Sequence, residues 1–518
     1  MRETVVKKRI FRQFHTLALR AGVAALIAAG LGGCALGPNF KSPETPATAG
    51  NSYTPTPLPQ QTASAPGLGG ASQQFAFGQE IPAQWWTLFR SPALDQLIRS
   101  ALEQNPNMAA AEAALRQTQE NYNAQVGSLV YPSVNAQLGA TRQKTSVATA
   151  GAGAGVYNVY NASVNVAYTP DVFGATRRTL EGAQAAVDYQ RYQVEATYLT
   201  LSANVVTTAI QEASLRAQLK ATREVLEALT RQQGVIEKQF EYGAIPRATL
   251  LSQRNQVAQI QSTIAPLEKS LAATRHQLSI LAGKLPGEAG IPEFSLETLT
   301  LPEQLPVSLP SALVRQRPDI RASEEQLHQA SAAIGVATAA QYPQFTLSGS
   351  YGSASDTFSK LFDSQTTAWN LAAGIAQPIF NGGALSARRR AAEAAYDVAA
   401  AQYRATVLTA FKNVADTLRA LDADAAALKS QADAEALAKE TLTLAEQQYK
   451  LGGISYLVLL DAQRSYQQTH INLVQAQAVR YADTAALFQA LGGGWWNRAN
   501  GVPAATAVST AAPYGKNQ

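Results

Sequence analysis

Residues 384–451 form a run of 68 residues with neither glycine nor proline. A stretch of the same length, 175–242, contains no proline. Such runs read as single helices, each roughly 100 Å long at about 1.5 Å rise per residue. Their apolar stripe is narrow. Leu418, Leu421, Ala425, Leu428 and Ala432 step by three and four, the spacing of a coiled-coil seam more than of a globular core. Each run closes on glycine, at Gly243 or at Gly452-Gly453, and a shorter helical pattern follows at 247–282 or 455–491. Glycine at these points allows a sharp reversal, so each pair reads as a helical hairpin.

The two hairpins belong to a chain written twice. Asn105-Pro106 answers to Arg317-Pro318, Tyr131-Pro132 to Tyr342-Pro343, Gly243 to Gly452, and Leu281-Ala282-Gly283 to Leu491-Gly492-Gly493. Offsets near 210 residues are far longer than the 20–50 of a solenoid, so this is a duplicated domain. Each copy opens with a helix just after a proline (107–130 and 319–341) and continues into alternating stretches. In Val134-Asn135-Ala136-Gln137-Leu138, 160–166, Phe345-Thr346-Leu347-Ser348 and Trp369-Asn370-Leu371, apolar and polar residues trade places at period two. Loops are expected at 142–156 and 353–366.

Four strands per chain, apolar on one face only, fit a bilayer-spanning barrel but cannot close one. Open sheet edges are not tolerated in lipid, so chains must combine, and three copies would give twelve strands. A helical envelope protein with two small hairpins would leave the apolar faces and the N-terminal signal described next without a use.

The N-terminus explains the apparent basicity. Lys7, Lys8, Arg9, Arg12 and Arg20 precede a short apolar run that ends in Leu31-Gly32-Gly33-Cys34, the pattern of a lipoprotein leader with Cys34 as the lipidated residue. Residues 1–33 hold six of the 42 basic and one of the 37 acidic residues, so the remainder balances at 36 of each. The expectation of nucleic-acid binding goes with the leader. Cys34 is the only cysteine, which leaves no disulfide and no thiol catalyst. Ala35 after the cysteine, rather than aspartate, points to outer-membrane sorting. Residues 41–74, rich in Pro, Ser, Thr and Gly, read as an extended, weakly structured lead-in.

Little suggests an enzyme. His276, His328 and His470 lie far apart in helical patterns, and Glu324/His328 lacks the second histidine of a zinc-protease motif, so it reads as a solvated helix pair. No cofactor is expected beyond the covalent lipid on Cys34.

Several phrases together resemble the TolC/OprM-type outer-membrane efflux channels, in particular their lipidated NodT-like branch. They are Cys34-Ala35-Leu36-Gly37-Pro38-Asn39-Phe40, Trp85-Trp86-Thr87-Leu88-Phe89, Ser91-Pro92-Ala93-Leu94-Asp95-Gln96-Leu97, Leu460-Asp461-Ala462-Gln463-Arg464 and Ala490-Leu491-Gly492-Gly493-Gly494-Trp495. The resemblance implies a mainly α chain with transmembrane β. Its unit of helix, two strands, long helix and helix is duplicated. A homotrimer would form a 12-stranded β-barrel in outer-membrane lipid, continued by a 12-helix periplasmic α-barrel. A periplasmic adaptor (a membrane fusion protein) and an inner-membrane RND-type pump would be its partners; a conduit for type I protein secretion shares the architecture. The implied division is a leader at 1–33, a lipidated extended segment at 34–91, repeats at 92–304 and 305–494, and a tail at 495–518.

For the tip, the resemblance places Asp461 as the aperture acid and Tyr449 and Arg464 as residues that hold the tip shut. A ring of Asp461 carboxylates would attract cations. An acid in the first turns of a helix is also favoured by the helix dipole with no gating role. Relatives commonly carry an acid where this chain has Thr249, so the links are expected to be neutral hydrogen bonds. The tip turns are assigned to Gly243, Gly452 and Gly453.

Overall fold

The computed structural model describes residues 35–44, 52–146, 148 and 155–498. Cys34, the leader and most of the C-terminal tail lie outside the described residues. Two compact units emerge, and neither is a sequence repeat. Counted over the described residues, one comprises 116–189 and 323–403 with 35–43, and the other 44–115, 190–322 and 404–498. Each unit takes part of both repeats.

In the first unit, four strands form one antiparallel sheet in the order β2-β3-β5-β6: β2 (Ser133–Lys144), β3 (Val156–Tyr168), β5 (Gln344–Ser355) and β6 (Thr367–Ala376). The strands reach beyond the predicted stretches into the expected loops. The ends that reach there, Arg142-Gln143-Lys144 of β2 and Ser353-Ala354-Ser355 of β5, still complete the backbone ladder, which needs no apolar side chain. The register gathers one chemistry on each face. Val134 pairs with Val166, Val166 with Gly349, and Gly349 with Leu371. Likewise Val164 pairs with Tyr351 and Tyr351 with Trp369. On the opposite face, Asn135, Asn165, Ser350 and Asn370 run across in the same way. A one-residue slip would exchange the faces. The apolar face is bare: Trp369 is 75% exposed and Leu371 80%.

The second unit holds the main core. Its N-terminal lead-in overturns the expectation of weak structure. β1 (Gln74–Phe77) pairs in parallel with β4 (Gln304–Val307). The fully buried Arg480 donates to the carbonyls of Gly69 (2.9 Å) and Ala71 (2.7 Å) and to Thr62 Oγ1 (2.9 Å). A chain poor in large side chains is thus fixed through its backbone carbonyls by one guanidinium with several donors. Trp85, Trp86 and Phe89 lie in the core just before α1 (Pro92–Gln104), and Trp85 stacks on Phe488 at 5.4 Å.

α2 (Pro106–Val130) and α6 (Pro318–Ala339) lead into the strands, with α5 (Pro310–Gln316) preceding α6. The long helices are α3 (Ala175–Glu241) and α7 (Ala384–Lys450), 67 residues each, one shorter than expected because Tyr242 and Leu451 belong to the turns. The return helices are α4 (Arg247–Leu281) and α8 (Tyr456–Ala490). The stripe Leu418, Leu421, Ala425, Leu428 is fully buried, as its spacing predicts. No helix among the described residues is long and apolar enough to cross a membrane.

Candidate tip gate

The reversals after α3 and α7 are built alike. Gly243 (φ 72°) donates to Phe240 O at 2.9 Å, and Ala244 donates to Gln239 O at 2.8 Å. Gly452 (φ 73°) donates to Tyr449 O at 3.0 Å, and Gly453 to Gln448 O at 2.8 Å. Both are left-handed caps that satisfy the last helical carbonyls. Gly453 lies in the turn as well but does not share the left-handed conformation, and its counterpart is Ala244, so one left-handed glycine per turn meets the steric demand.

Between the turns and the first turns of the return helices lies a small core of its own. Ile236, Leu250, Ala445, Tyr456, Leu459, Leu460 and Ala462 are buried there, with Tyr449 packed against them. Tyr449 meets Tyr456 edge to face at 5.8 Å, a favourable aromatic arrangement. Burial pushes the Tyr449 phenol up and the Tyr456 phenol up to about 12, so Tyr456 remains a hydrogen-bond donor. Its hydroxyl donates to Gln253 Oε1, and Gln253 Nε2 donates to Leu229 O at 2.7 Å.

Arg464 Nε donates to Gln256 Oε1 at 2.6 Å, and Gln463 Nε2 donates to Gln232 Oε1 at 2.5 Å. These bonds tie α8 to α3 and α4 of the same chain. The partner of Arg464 within the chain is therefore a neutral amide. Thr249 is half-buried, and its own N–H donates to Pro246 O at 3.0 Å in the first turn of α4. Asp461 is exposed although its neighbours Leu460 and Ala462 are buried, so its carboxylate projects away from the tip core.

Gln253, Gln256, Gln232 and Tyr456 were not among the sequence candidates. A signal existed. Leu250, Gln253, Gln256 or Val257, and Ile260 step by three and four, which puts two amides on the apolar stripe of α4. Both are buried, at 0% and 2% exposure. A buried polar residue in a coiled coil specifies register at a cost in stability.

The chain matches the model of the outer membrane efflux protein family over residues 97–284 and 309–493. It is 31% identical to the pyoverdine export outer membrane protein OpmQ of Pseudomonas putida, over 85% of this chain and 94% of that one. It is 29% identical to the probable outer membrane lipoprotein SilC of Salmonella typhimurium, over 90% of this chain and 96% of that one. Among solved structures, the outer-membrane channel OprN superposes with a TM-score of 0.80 at 26% identity, covering 89% of this chain and all of that one.

Proposed function

The chain belongs to the outer membrane efflux protein family, an outer-membrane channel of an efflux system, and on that premise we propose how it assembles and gates. Three copies close a barrel of twelve strands. The observation that carries this is the sheet, apolar on one face, with β2 and β6 as its outer strands. Closure pairs β2 of one copy with β6 of the next, removes the edges and turns the apolar face to lipid. The helical hairpins of the three copies continue it as a helical tube. Cys34 carries the lipid. The passive tube takes its energy and its choice of cargo from an inner-membrane pump of the RND type, reached through a periplasmic adaptor. Apolar residues exposed around the tip turns, Tyr242, Leu251, Leu451 and Leu457, suit contact with that adaptor.

In the tip, Tyr456–Gln253 and Arg464–Gln256 hold the two hairpins of one chain together, and the three Asp461 carboxylates form the aperture ring. Purified in mild detergent, the lipidated protein is expected to have the mass of a trimer by light scattering corrected for detergent. A monodisperse monomer would remove the closure on which this reading rests.

A further inference from the structure

The described chain begins beside the residue that would carry the lipid, and it begins in a tightly built seat. Arg178 of α3, 4% exposed, donates from Nε to Leu36 O (3.1 Å) and from Nη2 to Gly37 O (3.3 Å) and Asn39 Oδ1 (2.7 Å). Leu36 N–H donates to Phe173 O at 3.2 Å, just beyond β3. The backbones are in direct contact. A Cβ on Gly37 would lie 2.5 Å from Gly335 Cα, and one on Gly335 would lie 2.9 Å from Leu36 O. No larger residue fits at either position without moving the segment.

The far end of the seat is a histidine. Phe40 stacks on His328 of α6, with ring centroids 4.3 Å apart and planes 15° apart. His328 Nε2 lies 3.0 Å from Glu181 Oε1 of α3, and Nδ1 lies 3.3 Å from Glu325 Oε2 of its own helix. Glu181 also accepts from Arg178 Nη1 at 2.6 Å, which joins the histidine to the arginine that grips residues 36–39. This is no solvated Glu324/His328 pair; Glu324 is itself buried one turn earlier.

A carboxylate only accepts hydrogen bonds, and a neutral imidazole has one N–H. With both ring nitrogens on carboxylates, the geometry satisfies the imidazolium alone. We propose that Arg178, Glu181 and His328 form a proton-dependent clamp on residues 36–40, closed when His328 is charged and loosened when it is neutral. Loss of the proton leaves a lone pair facing a carboxylate. It also weakens attraction to the Phe40 face, against which a cation is favoured. The charged groups that act on the ring are Glu325 from α6 and Glu181 from α3, the latter bonded to Arg178; the N-terminal segment presents the uncharged Phe40. Burial works against the charge on His328, but the two carboxylates outweigh it and raise its pKa above the ordinary histidine value. The sign follows: the grip is complete below the ordinary value of about 6.5 and is lost as pH rises through the raised one.

The test uses the full lipidated chain carrying Lys41→Cys, labelled with a nitroxide, with single labelling confirmed by intact mass. Spin mobility is followed from pH 5.5 to 9. The mobile fraction is expected to rise at least threefold in one titration step. Glu181→Gln should move that step to lower pH, His328→Gln should abolish it, and Arg178→Ala should give a mobile label throughout. A flat titration in the otherwise unaltered chain would overturn the clamp, and this arm does not depend on whether the clamp variants fold. An unshifted step in Glu181→Gln, or a step that persists in His328→Gln, would overturn it as well.

Discussion

Arg464 meets an amide where a carboxylate would have made a stronger, charge-assisted bond. With Gln256 Oε1 at 2.6 Å, a single substitution tunes that bond in either direction. Gln256→Leu removes the acceptor and should raise leak conductance in planar bilayers and entry of large antibiotics into cells. Gln256→Glu supplies a charge and should lower both, with the gain fading at high salt. Equal leak in all three proteins would mean the bond does not bear on closure. The role proposed for Asp461 concerns ions rather than the latch, because the residue is exposed. Asp461→Ala should reduce cation selectivity and block by trivalent cations without raising leak in the closed state. Unchanged selectivity would leave the carboxylate with only its favourable place near the start of α8. The acid and the arginine were legible from the sequence phrase. The amides were harder to see, since glutamine is common on helix surfaces and only contact with a second hairpin makes it buried.

The tip turns show how little a helical hairpin needs. Gly452 has open space where a Cβ would go, so its constraint is the φ of 73° alone. A non-glycine residue in the left-handed region costs about 1–2 kcal/mol. Gly452→Ala should therefore speed amide hydrogen exchange across 449–456 by about tenfold, while Gly453→Ala, in the position of Ala244, should leave it near the unaltered rate. Similar exchange in both variants would show that the turn does not depend on its left-handed residue. The glycine pair was visible in the sequence, and which member does the work was not, because φ is a property of the folded backbone. The lead-in makes the same point. The composition of 41–74 predicts little structure, yet Thr62, Gly69 and Ala71 within it are held by Arg480, some four hundred residues away.

For the whole molecule, the sidedness of the sheet makes the sharpest demand. Leu371 and Asn370 are chain neighbours on opposite faces of β6. An arginine on a lipid-facing position of a barrel costs about 2–4 kcal/mol near mid-bilayer, while a lumen-facing one is tolerated. Leu371→Arg should reduce the yield of membrane-inserted trimer several-fold, and Asn370→Arg should leave yield unchanged and shift ion selectivity toward anions. Equal loss in both would argue that this face does not meet lipid.

What the sequence by itself determined is everything governed by local period. The 3.6-residue and two-residue patterns and the glycine stops are properties of neighbouring residues, and they specify the long helices and the reversals nearly to the residue and the strands by their centres. Tertiary structure decided what depends on residues brought together from afar: the units that cut across the repeats, the amide partner of Arg464, the carbonyls held by Arg480, and the seat of Phe40 on His328. Each rests on a hydrogen bond or ring contact whose partner lies on another element. Such a contact gains its strength from burial, and no pattern along one strand of sequence can express it.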